Sequence, residues 1–192
     1  WLFFREVGIR DVRVVINSVG NPASREAYRE RLLAFLAPIK DTLCDDCRSR
    51  YDRNPLRILD CKIDKDKFTD VPSILDSLDE ECAAHFAAVR RHLEDMRIPY
   101  EIDPSLVRGL DYYTHTAFEY KCGGIGAIDT IGGGGRYNGL VGEVGGPDQP
   151  GVGLGIGLER LLLIMEKQQV GTPQLPPLDV YFVTMGERAD RE

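Results

Sequence analysis

The chain has 192 residues, 43% of them hydrophobic, which is enough to bury the core of one generous domain or of a domain carrying an insertion. Its formal net charge of -7 excludes the global basic footprint of a protein that coats nucleic acid, so any such contact has to be local. No apolar run reaches bilayer length, and Trp1-Leu2-Phe3-Phe4-Arg5-Glu6 lacks the basic start of a signal peptide, so a soluble cytoplasmic protein with no membrane partner is expected.

Trp1 to Glu6 reads as the tail of an amphipathic helix, and Leu178 to Val183 as a new strand that stops soon afterwards. Both ends therefore suggest a fragment of a longer protein. Val12-Arg13-Val14-Val15-Ile16-Asn17 is a branched, strand-forming run that ends at Gly20. Asn21-Pro22 is a cap-and-first-turn pair, and Tyr28, Leu32, Phe35, Leu36 and Ile39 then recur at helical spacing. From Asp41 to Phe68 the chain is strongly charged and broken by Asn54-Pro55, which predicts short helices and turns. A second helix carries the stripe Cys82, Phe86, Val89, Leu93 and Met96.

Strand signals return at Pro99 to Ile102, Thr116 to Tyr120 and Ala127 to Ile131, the later ones separated by Gly-rich turns, and short connections of this kind suit antiparallel neighbours. Leu158 to Lys167 is apolar enough for a buried helix, and the prolines from Pro173 to Pro177 mark a linker.

Three segments carry the chemistry. Arg108 precedes Tyr112 and Tyr113, which a strand would point to opposite faces; a guanidinium beside a phenol suits a carboxylate or phosphate, and a surface arginine with two sheet aromatics is the plain alternative. Gly132 to Gly135 is costly inside a sheet unless something approaches the backbone closely, whereas a bulged hairpin end would tolerate it. Gly151 to Arg160 superficially offers GxGxxG, its glycines running as GxGxGxG, but it leads into one helix and a proline linker, not a βαβ unit, so dinucleotide binding is rejected. Arg160, in the first turn of that helix, can instead reach phosphate oxygens.

The five cysteines follow no secretory signal, so reduced thiols are expected. Cys44-Asp45-Asp46-Cys47, with Cys61 and Cys82 downstream, has one pair at zinc-ligand spacing, but a second CxxC is missing. Half-buried helical thiols are the preferred reading, no metal is assigned, and structural zinc is the minority one. His85 and His92 read as polar-face helix residues, and His115 completes no ligand set.

Arg108-Gly109-Leu110-Asp111-Tyr112-Tyr113-Thr114, Gly134-Gly135-Arg136-Tyr137-Asn138-Gly139-Leu140 and Gly155-Ile156-Gly157-Leu158-Glu159-Arg160 together resemble the histidine-specific motifs and motif 3 of the histidyl-tRNA synthetase family. Asn17 to Gly20 and Asn54 to Asp60 extend the resemblance to most of the chain. It implies an α+β fold: part of the class II synthetase antiparallel sheet with flanking helices, interrupted by a helical insertion. It also implies the domain limits: catalytic-domain portions at 1–21 and 97–171, an insertion at 22–96, and at 172–192 a linker with the start of an anticodon-binding domain.

The implied activity is ATP-dependent activation of histidine to histidyl-adenylate and transfer to tRNA(His), by a homodimer using Mg2+ with ATP. By resemblance Arg108 is the catalytic arginine. Arg108, Tyr112, Tyr113, Gly133 and Gly134 would bind histidine; Arg160 and Glu159 would bind ATP. Motifs 1 and 2 are not among these residues and would lie before Trp1, so this chain is expected to form no adenylate unaided. Asn138 stands where the family has Asp, which puts a local turn contact in question. The alternative is the non-charging, synthetase-like regulatory subunit of ATP phosphoribosyltransferase, against which the insertion argues. A tRNA-sensing kinase domain ranks lower because Arg108, Tyr113 and Arg160 are intact. The cations Arg48, Arg50, Arg53, Arg57, Lys62, Lys65 and Lys67 offer either a tRNA-backbone patch or a solvated mixed-charge surface.

Overall fold

A computed structural model describes residues 1–59, 61–106, 112–123, 129–171 and 176–186. In chain order the elements are α1 (Leu2–Glu6), β1 (Val12–Gly20), α2 (Pro22–Leu36), α3 (Asp45–Arg53), α4 (Glu80–Asp95), β2 (Tyr100–Ile102), β3 (Thr114–Cys122), β4 (Thr130–Tyr137), α5 (Leu140–Glu143), β5 (Gly151–Ile156) and α6 (Leu158–Lys167). Between α2 and α4 the chain turns through four short 3-10 segments, as its charged, Pro-broken composition demands.

The five strands form one sheet in the order β2-β1-β3-β4-β5. Four of them pair antiparallel, but β2 runs parallel to β1, with Val14 opposite Tyr100 and Ile16 opposite Ile102. The later strands, joined by short connections, are antiparallel as expected, and β2 differs for a topological reason. A parallel pair needs a long crossover, and the whole helical segment from α2 to α4 supplies it.

The register assigns the two faces. Ile16, Phe118, Gly134 and Leu154 stand opposite one another on one face; Asn17, Ala117, Gly135 and Gly153 do so on the other. On the first face Val12 packs with Phe4 of α1 and Leu161 and Ile164 of α6, and Val14 and Ile16 pack with Phe86 of α4. The helical segment has its own core of Tyr28, Leu32, Leu36, Leu43, Cys47, Ile58 and Ile74.

The ends of α2 and α4 follow capping chemistry. Asn21 Oδ1 accepts from Ser24 N at 2.9 Å, Asp79 Oδ1 accepts from Cys82 N at 2.8 Å, and Asn21 Nδ2 donates to Asp79, which pins the two starts together. Met96 lies just beyond α4 and is exposed, so the apolar stripe ends at Leu93. Three further expectations are corrected. The Leu158–Lys167 helix is amphipathic, not buried: Leu161 and Ile164 face the core while Leu158, Leu162 and Leu163 are exposed. The four glycines lie within β4 and are buried, not at a hairpin end. Residues 178–183 form no strand, because a strand without a partner leaves its backbone groups unpaired.

Candidate functional site

β4, β5, the two tyrosines that precede β3 and the start of α6 line a cleft of about 620 Å³ on the sheet face that bears Gly133, Gly135, Gly153 and Gly155. Gly133 stands opposite Gly155, and Gly135 opposite Gly153, so two neighbouring cross-strand pairs lack side chains on the same face. Three of these positions differ in what a side chain there would meet. A Cβ on Gly135 would lie 2.6 Å from Cδ1 of Tyr113, and one on Gly153 would lie 2.8 Å from the Tyr137 hydroxyl, so tyrosine rings occupy that space. A Cβ on Gly155 would meet nothing within 4 Å. The floor is therefore roofed by tyrosine at one end and open at Gly155.

Tyr112 and Tyr113 both line the cleft, with ring centroids 4.7 Å apart, and Tyr137 completes the wall at 5.7 Å and 6.5 Å from them. The expected opposite orientation does not occur because both residues precede β3, which begins at Thr114, so strand alternation never applies to them. Tyr113 is buried against Val19 and Ala117.

Arg160 lines the opposite end and donates from Nη1 to the Thr130 carbonyl at 2.6 Å, tying the first turn of α6 to β4. The N-cap of α6 is Gly157, which has no side chain to accept from the first-turn N–H groups. A guanidinium and a helix N-terminus thus face the same volume, an arrangement that favours phosphate or carboxylate oxygens.

Of the expected site residues, the structure brings together Tyr112, Tyr113, Gly133 and Arg160. Gly134 and Glu159 do not line the cleft: Gly134 is on the helix-covered face and Glu159 is exposed. Arg108 lies outside the described residues, as do Ala127 and Ile128 of the strand expected before Gly132. Pro104 and Leu106, among the last described residues before Arg108, are anchored by fully buried Asn17, which donates from Nδ2 to both carbonyls at 3.1 Å. Sequence reasoning missed this anchor; a lone Asn in a branched strand run was the available signal. Asn138 carries the turn contact in question, accepting from Arg136 Nε at 2.8 Å and donating its N–H to Thr114 Oγ1 at 3.1 Å.

His85 is not a polar-face residue: its ring stacks obliquely on His115, centroids 4.8 Å apart, and His115 Nδ1 lies 3.6 Å from Cys82 Sγ. Burial lowers both imidazoles below the ordinary 6.5, and the Arg136 charge adds to it. The unfolded chain takes up these protons as pH drops through that value while the native pair resists them. The stability held by the neutral pair is therefore complete above pH 6.5 and declines on acidification below it. Asp64 and Asp79, whose pKa values are lowered, add their losses only below the ordinary carboxylate value of 3.8. Urea midpoints should fall between about pH 7 and pH 5, and His85→Gln should flatten that slope. A midpoint constant over this interval would show that the pair is not held neutral.

Cys44, Cys47 and Cys61 converge with Asp64, whereas Cys82 is remote from them beside His115. No described helix is long and apolar enough to cross a membrane.

A family model described as histidyl-tRNA synthetase matches residues 21–161. A histidine–tRNA ligase of Listeria innocua is 50% identical over 192 residues, covering 98% of this chain and 45% of the relative. One of Streptococcus sanguinis is 52% identical over 190 residues, with 98% and 45% covered. The crystal structure of apo S. aureus histidyl-tRNA synthetase superimposes with a TM-score of 0.73 at 42% identity, over 99% of this chain and 47% of that one. The chain thus spans less than half the length of the curated relatives it matches.

Proposed function

The chain belongs to the histidyl-tRNA synthetase family, and from that premise we propose that it supplies the histidine- and phosphate-binding half of the active site of a histidine–tRNA ligase. The observation that carries this reading is the bare floor at Gly133 and Gly155, walled by Tyr112 and Tyr113 and closed by Arg160 at a helix N-terminus. A flat amino acid can lie on such a floor with its ring against the phenols. Its carboxylate and the α-phosphate of ATP would be neutralised by Arg108, and the outer phosphates, with Mg2+, would be met by Arg160. The reaction places negative charge on the α-phosphate as the carboxylate attacks and pyrophosphate leaves, so positioned cations do most of the work. Gly134 would contribute by letting β4 and β5 approach, and Glu159 from outside the cleft wall.

In this reading residues 1–21 and 97–171 are catalytic-domain portions, 22–96 is the helical insertion, and 172–192 leads to an anticodon-binding domain. The whole enzyme would be a cytoplasmic homodimer acting on tRNA(His). The insertion's cations give limited support for a tRNA patch, because several are already engaged: Arg48 pairs with Asp45, Arg50 donates to the Arg57 carbonyl, and Lys67 pairs with Asp64. The regulatory-subunit alternative is the weaker one, since relatives at about half identity are named as ligases.

A segment exchange tests the proposal. Replacing the matching segment of the Listeria innocua ligase with this chain should preserve histidine-dependent ATP–pyrophosphate exchange, while the isolated chain should support none. A folded, dimeric chimera without exchange would overturn the proposal.

A further inference from the structure

Cys44 and Cys47, at the start of α3, and Cys61, further along the helical segment, bring their sulfurs and a carboxylate oxygen of Asp64 all within 4.8 Å of one another. We propose that these four side chains form a structural zinc site, independent of the function assigned to the cleft.

Tetrahedral zinc with Zn–S bonds of about 2.3 Å sets its sulfurs about 3.8 Å apart. Cys44 Sγ and Cys61 Sγ are 3.8 Å apart, and Cys61 Sγ is 3.9 Å from Asp64 Oδ2. Cys44 is the N-cap of α3 and Cys47 lies in its first turn, so the pair sits at the positive end of a nine-residue helix, which favours thiolates. The donor set is complete at four, and its softness selects zinc over Mg2+ or Ca2+.

Asp64 is the second, independent observation. Its side chain is 0% exposed, and it is held there by an ammonium, a backbone N–H and a thiol: Lys67 Nζ donates to Oδ1 at 2.8 Å, Cys44 N to Oδ2 at 2.9 Å, and Cys61 Sγ lies 3.9 Å from Oδ2. Oδ2 is the oxygen turned toward the sulfurs. Lys67 offsets the charge from the Oδ1 side, while Oδ2 meets a backbone N–H and a thiol, so a cation seated among the sulfurs would bind Oδ2 without displacing the ammonium. Zinc binding would expel the three thiol protons to solvent and leave three thiolates and a carboxylate around a divalent ion. Lys67 and the α3 N-terminus face the resulting negative charge.

The site also answers a packing question. Between α2 and α4 the chain is held by one short helix and four 3-10 turns, a poor inventory of regular structure for a core centred on Leu32, Leu36, Cys47 and Ile58. A metal that joins Cys44 and Cys47 to Cys61 and Asp64 closes that segment, as small metal-stapled units do.

The test uses the whole chain purified under reducing conditions. Elemental analysis should find one zinc per chain, released when a mercurial modifies the thiols. Cobalt in its place should give thiolate charge-transfer absorption and the intense visible bands of a tetrahedral ion. Cys61→Ser should weaken zinc binding by more than about 100-fold, beyond the loss expected for an outer-shell partner, and Asp64→Asn by at least about 10-fold. Cys82→Ser should leave both binding and cobalt spectrum unchanged. Failure of the wild-type chain to bind zinc, cobalt without thiolate bands, a Cys44–Cys61 disulfide in place of metal, or iron–sulfur absorption would each overturn the assignment, even if the variants do not fold.

Discussion

Alanine at position 134 should destabilise the chain by about 3 kcal/mol or more, whereas the same substitution at 155 should change stability by less than about 1 kcal/mol. The two glycines belong to the β4–β5 pair and differ by what surrounds them. A Cβ on Gly134 would overlap the Gly153 carbonyl oxygen and come 2.8 Å from Leu154 Cα, both backbone atoms of the paired strand. No rotamer relieves that overlap, so the strands must separate and lose ladder bonds on the floor of the cleft. At Gly155 a Cβ meets nothing within 4 Å, and a strand residue with a side chain gains by reducing the freedom of the unfolded chain. The functional consequences then separate. Gly155→Ala adds a methyl group to the open end of the floor, so in the chimeric ligase the KM for histidine or ATP should rise roughly 10-fold or more with the fold intact. Unfolding curves and exchange kinetics on the two variants check this pairing. Equal stability losses would mean that the glycines serve only the sheet.

What could be read from the sequence was local. Asn21-Pro22 announces a helix start because the cap and the fixed proline φ act within one turn, and Asn21 duly accepts from Ser24 N. Val12 to Asn17 announces a strand because branched residues carry their preference with them. The fold class and family were legible for a different reason: the glycine, arginine and tyrosine positions sit in a fixed order that this sheet requires.

Features set by distant partners were not legible. The parallel pairing of β2 depends on a crossover of the whole helical segment, and nothing in Tyr100-Glu101-Ile102 records it. Tyr112 and Tyr113 share a wall because β3 starts at Thr114, after both of them. Asp64 looked like one more charge in a charged stretch, yet it is buried among sulfurs brought from 17 and 20 residues away. His85 and His115 meet from different elements, 30 positions apart in number, so helical spacing could not reveal their contact. Leu178 to Val183 has a strand's composition and no strand to join.

Arg160→Ala should lower histidine-dependent exchange in the chimeric ligase by roughly 10²–10³-fold, the loss typical of removing one positioned donor from a charge-stabilising site. The structural role of this side chain is modest by comparison. Its Nη1 donates to the Thr130 carbonyl at 2.6 Å, from a residue that is exposed at the cleft mouth. Losing a bond of that kind costs about 1 kcal/mol, which moves an unfolding midpoint slightly and cannot account for a large kinetic defect. Arg160→Lys separates charge from shape: an ammonium keeps the positive charge but not the planar fork that can hold a phosphate and a carbonyl together. Lysine should therefore recover part of the exchange rate, mainly by lowering the KM for ATP, and leave kcat depressed. The α6 N-terminus remains in both variants, because Gly157 offers its first turn no competing acceptor, and this sets a floor beneath the loss. A variant with near-normal exchange would place the phosphates elsewhere and reduce Arg160 to a strut between α6 and β4.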